Sequence, residues 1–353
     1  MTLDDIIEGI RPADAASMDA ARLRQQRLTK PPGSLGRLED LAVQVAGVLG
    51  AERHVIRGKA LIIAAADHGV VAEGVSGYPQ EVTAQMVQNF LDGGAAINAM
   101  ARLAGVTLTI VNAGIAGPPP DHPALRNVSI GRGTDNMARG PAMSRSRAEH
   151  CIQAGVTLAT EAADARADLI GTGDMGIGNT TAAAAITSTI TGAFPGEVTG
   201  RGTGRNDEEL MAKVAVIERA LTVNRPDARD GLDVLAKLGG LEIGVLAGVI
   251  LGAARAKRVV VLDGFISGAA ALIAYSICPT VRDYLVAGHV SAEVGHQAVL
   301  SHLTLRPLLD LDMRLGEGTG AVLAMGLVES AVACLTEMAT FDEAGVADRE
   351  PNE

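Results

Sequence analysis

The chain has 353 residues, 48% of them hydrophobic and 20% charged, which gives enough apolar sequence for a large core and argues against disorder. Thirty basic against 41 acidic residues leave a net charge of −11, which disfavours nucleic acid or an anionic membrane as partner. Aromatic residues make up only 2%, with no Trp and 42 Gly, so the core is expected to be Ala, Val, Leu and Ile in helices packed tightly on a sheet.

The first 50 residues read as helices. An acidic turn at Asp4-Asp5 comes first, then Asp14–Leu28 and Gly36–Leu49, with a rigid Lys30–Gly36 turn between the last two. Ala60–Ala66 is a continuous apolar run ending at Asp67-His68-Gly69, the pattern of a buried parallel strand. Val71–Pro79 reads as loop and Gln80–Leu103 as a helix interrupted at Gly93-Gly94. Val106–Val111 is a second strand, and the stretch from Pro118 to Pro141 an irregular excursion.

Beyond it, Arg145–Arg166 is helical, and a brief apolar pair, Leu169-Ile170, runs into a glycine turn over Gly171–Thr181. Helices follow at Ala182–Thr191, Asp207–Val223, Asp230–Leu238 and Leu241–Ala256. Val259–Leu262 is the clearest strand and leads into a helix at Ile266–Tyr275. Tyr284–Ala287 is a weaker strand with a helix after Ser291, and Leu308–Leu311 a last short one before a C-terminal helix from Ala321. The tail from Thr340 reads as frayed.

Repeated strand, glycine turn and helix without hairpin signals specify an α/β fold with a parallel sheet and flanking helices. The N-terminus is not a signal peptide, and three scattered cysteines (Cys151, Cys278, Cys334) suit a reducing cytoplasm. The apolar window Ile243–Ala254 is too short to span a bilayer, and Glu329 interrupts the later one.

Ligands of open α/β sheets bind outside the carboxyl ends of the strands, where the turns at Asp67-His68, Asp174–Thr181, Arg201–Gly204, Asp263-Gly264 and Gly288–Ser291 would converge. Gly176-Ile177-Gly178-Asn179-Thr180-Thr181 opening a helix is the best phosphate cradle, though an ordinary N-cap by Asn179 or Thr180 reads the same way. It is neither a Walker A loop nor a full dinucleotide fingerprint, which weakens a nicotinamide-dependent dehydrogenase as the alternative enzyme. Lys213 could add charge to a phosphate or be merely solvated. His68 and His289 read as structural, since no HxH or HExxH spacing marks a metal site.

Leu308–Ser330 carries Gly316-Glu317-Gly318-Thr319-Gly320 before its helix. Glu317 is either a solvated first-turn acid, with Thr319 as cap, or a carboxylate placed by glycines for chemistry.

The stretches Lys30–Ala42, Ala66–Asn98, Met175–Ile186, Gly200–Gly204, Val261–Leu272, Gly288–His296 and Leu311–Ala321 together resemble the nicotinate-nucleotide–dimethylbenzimidazole phosphoribosyltransferase family, in family order. The resemblance implies transfer of phosphoribose from nicotinate mononucleotide to a benzimidazole-type base, in lower-ligand assembly for cobalamin. The products would be α-ribazole 5′-phosphate and nicotinate, with inversion at C1′. It also implies a Rossmann-like large domain over 59–317 and a small helical domain from 1–58 and 318–353. A cytoplasmic homodimer without metal or cofactor is expected. An acceptor other than a benzimidazole, such as adenine or a phenol, and a non-catalytic ligand-sensing protein are the alternatives.

Carried over by motif, Glu317 would be the general base. Tyr78, Pro79, Gln80, Gln88, Asp174, Met175 and Leu315 would border the base pocket. Gly176, Gly178, Asn179, Thr180, Thr181, Gly202, Thr203, Gly204, Lys213, Gly264 and Ser291 would hold phosphate and ribose. The family usually has Glu where this chain has Asp174, one methylene shorter, which bears on base preference rather than on the reaction.

Overall fold

The computed structural model describes residues 2–200 and 206–347. Among these, six parallel strands form one sheet: β1 (Lys59–Ala66), β2 (Thr107–Gly114), β3 (Leu125–Asn127), β4 (Leu169–Met175), β5 (Val259–Leu262) and β6 (Leu285–Ala287). Their order across the sheet is β3-β2-β1-β4-β5-β6. It reverses between β1 and β4, and a doubly wound sheet opens its ligand crevice at the carboxyl ends of such a pair. Register places Ala64 beside Asp174 and Ala65 beside Met175, so the turns after both strands emerge side by side. Two short strands, β7 (His289–Val290) and β8 (Leu309–Asp310), pair just beyond β6.

Helices cover both faces, and small residues set how closely. Helix Leu241–Arg255 is almost wholly buried between the sheet and helix Arg145–Asp164. A Cβ on Gly155 would collide with the Val245 carbonyl oxygen, and one on Gly248 with that of Ile152. The abundance of glycine thus replaces bulky side chains with direct backbone approach.

On the other face, helix Thr319–Glu337 packs on β4, β5, helix Arg37–Leu49 and helix Ala96–Ala104. It is long and apolar enough to cross a membrane by composition alone, yet Ala321, Val322, Met325 and Val328 are buried in the protein. Each fully buried Val or Met of this kind contributes about 1.5–3 kcal/mol over an exposed one.

The chain ends meet. Asp14 caps helix Ala15–Arg27, whose Arg24 donates to the Leu335 and Met338 carbonyls at 2.8 and 2.9 Å. In the turn that follows, Lys30 pairs with Glu39 at 2.7 Å.

Several elements depart from the sequence reading. β4 continues through Gly171 and Gly173 to Met175, because these glycines serve close packing rather than a turn: a Cβ on Gly171 would lie 2.7 Å from Leu61 Cδ1 and 2.8 Å from Met325 Cε. The Pro118–Pro141 excursion contains the edge strand β3, too short and polar to show a pattern. The loop after β1 begins with a 3₁₀ turn at Gly69–Glu73, and the helix expected from Ser291 starts at His296. The tail is docked as far as it is described: Leu28 bridges to Thr340, and Thr340 caps a last helical turn, Phe341–Ala344.

Candidate active site

The turn between β8 and the last long helix has three successive residues in the left-handed region, Gly316 (φ +80°), Glu317 (φ +63°) and Gly318 (φ +87°). For Glu317 that conformation costs on the order of 1–2 kcal/mol, so the surroundings must hold it. They do so by close packing. A Cβ on Gly173 of β4 would lie 2.7 Å from the Glu317 carbonyl oxygen, and one on Gly318 2.6 Å from Leu61 Cδ1.

Glu317 is therefore not a solvated turn acid. Only 6% of it is exposed, and its Oε2 finds no hydrogen-bond donor among the described residues. Burial pushes its pKa above the usual carboxylate range. The Ile97 backbone N–H, at the start of helix Ala96–Ala104, opposes this, and the nearby Asp263 charge adds to it.

Nor is Thr319 the cap of the helix that follows. Its hydroxyl donates back to the Gly316 carbonyl at 2.9 Å. The capping carboxylate is Asp263, directly after β5, which accepts from the N–H groups of Gly318 (3.1 Å), Gly320 (2.7 Å) and Ala321 (3.2 Å). Its own pKa is raised by complete burial, with His289 and those three N–H groups pulling the other way. His289 donates from Nδ1 to the Val290 carbonyl at 2.9 Å and turns Nε2 toward Asp263 Oδ1 at 3.7 Å.

Asp174, at the end of β4, sits against the same turn, with its carboxylate oxygens 3.4 Å from where a Gly316 Cβ would be. Burial raises its pKa well above the usual value, and the charges of Asp263, Glu242 and Glu317 add to the effect. The Asn179 side chain donates to it at 2.9 Å. Asn179 thus does not cap its own helix. The N-cap position of Asn179–Thr191 is Gly178, which leaves that helix start without a side-chain cap. The Gly176–Gly178 turn is held instead by Thr83, whose hydroxyl accepts from the Ile177 N–H at 3.1 Å.

Lys213 is buried rather than solvated, with Nζ 2.9 Å from Thr180 Oγ1, which places a cation at the same helix start. Gly264 and Ser291 adjoin, since a Cβ on Gly264 would lie 3.4 Å from Ser291 Cβ. Burial, with His289 beside it, holds the His296 imidazole down at about 3, so its neutral Nδ1 accepts from the Ser291 N–H at 2.9 Å.

The structure thus groups Asp174, Asn179 and Glu317, then Thr180 with Lys213, then Gly264 with Ser291, all at the carboxyl ends of β4 and β5. Gly176 and Thr181 are buried beside them. Gln80 reaches the His68 carbonyl at 3.4 Å, in the loop after β1. Tyr78, Pro79 and Leu315 are exposed, and Met175 is half-buried. Gln88 donates to Asp92 at 2.8 Å along its own helix, and no hydrogen bond joins it to the Glu317 turn among the described residues. Gly202, Thr203 and Gly204 lie outside the described residues.

Two further acids have roles that the sequence does not reveal. Asp263 carried the signal of an acid placed directly after the clearest strand. Glu242 is the sole charge between Leu241 and Ala254, and it is wholly buried and bonded to His68 Nε2 at 2.6 Å. That pair lies under the phosphate-cradle turn, where a Cβ on Gly176 would come 3.4 Å from Glu242 Oε1 and 3.5 Å from His68 Nε2.

A phosphoribosyltransferase family model matches residues 10–346. A nicotinate-nucleotide–dimethylbenzimidazole phosphoribosyltransferase of Chloroflexus aggregans is 56% identical over 347 residues, 98% of each chain. One of the same name from a Roseiflexus species is 55% identical over 350 residues, 99% of each chain. A crystal structure of the enzyme so named from Thermus thermophilus superposes with a TM-score of 0.90 at 48% identity, covering 95% of this chain and all of that one. The fold order, the glycine-framed acid and these likenesses agree: the chain belongs to the nicotinate-nucleotide–dimethylbenzimidazole phosphoribosyltransferase family of pentosyltransferases.

Proposed function

We propose that this enzyme transfers phosphoribose from nicotinate mononucleotide to 5,6-dimethylbenzimidazole in lower-ligand assembly for cobalamin. The products are α-ribazole 5′-phosphate and nicotinate, and Glu317 is the general base. The observation that carries this reading is a buried glutamate held at positive φ with an unpaired carboxylate oxygen among the described residues. Of the two acids held at positive φ in this segment, Asp312 is exposed and Glu317 is buried, and a strained, buried acid at the mouth of a doubly wound sheet supports a positioned functional group.

The chemistry follows from charge. One benzimidazole nitrogen attacks C1′, and the proton on the other becomes acidic as positive charge develops. A desolvated carboxylate with a raised pKa removes that proton near working pH, worth about 10²–10⁴-fold in rate. The nicotinate ring is a pyridinium while bonded to C1′ and leaves neutral at nitrogen, so that nitrogen needs no general acid. In-line displacement inverts C1′ from β to α.

In this reading Tyr78, Pro79, Gln80, Gln88, Met175 and Leu315 border the incoming base together with Asp174. Gly176–Thr181, Gly202–Gly204, Lys213, Gly264 and Ser291 hold the phosphate and ribose. The uncapped helix start at Asn179 and the Lys213 ammonium beside it support the phosphate end, since backbone N–H groups and a cation both favour an anion there. The chain ends, 1–58 and 318–353, are assigned to a small domain and the enzyme to a cytoplasmic homodimer, as the family resemblance implies.

The test is product analysis with nicotinate mononucleotide and dimethylbenzimidazole, with adenine as competing acceptor. An α-linked ribazole phosphate as main product is expected. A β-linked product overturns the stereochemistry, preference for adenine overturns the acceptor, and no transfer by the folded protein overturns the reaction.

A further inference from the structure

Asp263 is wholly buried and uses both carboxylate oxygens on one short segment: Oδ2 accepts from Gly318, and Oδ1 from Gly320 and Ala321. Those three N–H groups begin the last long helix, and the first of them belongs to the residue directly after Glu317. No side chain of the helix itself caps that end. Among the described residues, Asp263 is therefore the side chain that anchors to β5 a turn whose middle residue is held in the left-handed region.

Resting on the function proposed above, we propose that Asp263 is a positioning residue for Glu317: it ties the Gly316–Gly318 turn to the end of β5 and so fixes where the general base stands. The geometry makes this specific. An asparagine in the same place keeps one acceptor oxygen but must turn its NH₂ group toward N–H donors on one side, so the turn loses at least one anchor. Asp263 also places a negative charge beside Glu317. The other titratable groups facing this turn are Asp174 from β4 and, across Asp263, His289 from β7. With the Asp263 charge removed, the Glu317 carboxylate holds its proton less tightly.

The experiment compares Asp263→Asn with wild type in steady-state transfer across pH, followed in a Glu317→Gln background. The expected result is a fall in kcat of about tenfold or more with the KM for nicotinate mononucleotide changed less than about twofold, the split of a group acting on the transition state. The acid limb of the kcat profile should move to lower pH. In the Glu317→Gln background the same substitution should cost less than about twofold, because the group it positions is already gone.

Equal fractional losses in both backgrounds, or a fall in kcat with an unmoved acid limb, overturn the proposal. Asp263→Ser, which is smaller and cannot oppose the amides with an NH₂, repeats the test if the asparagine variant does not fold. If neither folds, ¹³C-carboxyl titration of Asp263 in wild-type and Glu317→Gln enzyme decides. Loss of the Glu317 charge should lower the Asp263 midpoint, and an unmoved resonance overturns the proposal. Absence of any transfer by wild type would instead remove the function on which it rests, a separate outcome.

Discussion

At the amino end of β4, Asp168 is wholly buried and held by an arginine and a histidine. Arg57 bonds it through side chain and backbone at 2.6–3.1 Å, and His54 at 3.1 Å. At the carboxyl end of the same strand, Asp174 is similarly enclosed, but it meets Asp263 and Glu317 rather than an arginine. Burial pushes both ends upward in pKa. At Asp168 the Arg57 and His54 hydrogen bonds more than reverse it, to about 2, whereas at the carboxyl end the neighbouring acids reinforce it. One strand thus carries a carboxylate held in its charged form for structure at one end and, at the other, a cluster of acids whose pKa values are all raised.

The sharpest way to break this contrast is Glu317→Gln. Transfer should fall by about 10²–10⁴-fold, with the fold intact, because an isosteric amide cannot take a proton. Stability should move the other way. Glu317 has its folded pKa raised above the unfolded value, so the folded state binds the extra proton and loses stability as pH rises through that folded pKa. At neutral pH the amide avoids burying an unpaired charge, and the variant should melt higher than wild type by calorimetry. Unchanged transfer would sink the general-base role, and a lower melting temperature the electrostatic account.

Next in size is Gly173→Ala, which tests whether the carboxyl end depends on backbone contact. The new Cβ would press on the Glu317 carbonyl at 2.7 Å and on the Gly318 nitrogen at 3.0 Å. Overpacking of this kind costs about 1–3 kcal/mol. Because it displaces Glu317, the proposed general base, kcat should fall by about tenfold or more, while nucleotide binding measured by calorimetric titration holds. A variant that melts earlier yet turns over normally would show that the turn tolerates movement.

The two ends also differ in how far the sequence exposes them. The central strands, most helices and the acid between glycines at 316 and 318 follow from apolar runs, glycine turns and periodicity alone. Gly171 and Gly173 mislead, because the sequence signal for a turn and for a strand crossed closely by another backbone is the same glycine. Asp263 is visible only as part of a crevice turn and Glu242 not at all, because their partners lie far away in sequence: Asp263 bonds residues 55–58 positions away, and Glu242 a histidine 174 away. Asp168 is hidden the same way, 111 residues from Arg57. The base-pocket assignments of Tyr78, Pro79 and Gln88 rest on the family resemblance, since side chains outside the core carry no packing signal.

The smallest effect on transfer, and the cleanest control, is Asp168→Asn. The folded pKa of Asp168, about 2, lies below its ordinary value of 3.8, so its stabilisation is fully present above that ordinary value and is lost as pH falls toward 2. That shift corresponds to about 2 kcal/mol after allowing for the half-exposed Arg57 guanidinium, or a melting point lower by a few degrees. Transfer below the melting range should be unchanged, since Asp168 stands at the opposite end of β4 from the reacting groups. The wild-type and variant melting points should converge as pH approaches 2, where wild type loses the same charge. Measured beside Glu317→Gln at neutral pH, the two substitutions should shift melting in opposite directions although both replace a buried carboxylate by its amide. A shift in the same direction would mean that Glu317 is stabilised by a partner much as Asp168 is, and that the carboxyl end of β4 is not electrostatically distinct from the amino end.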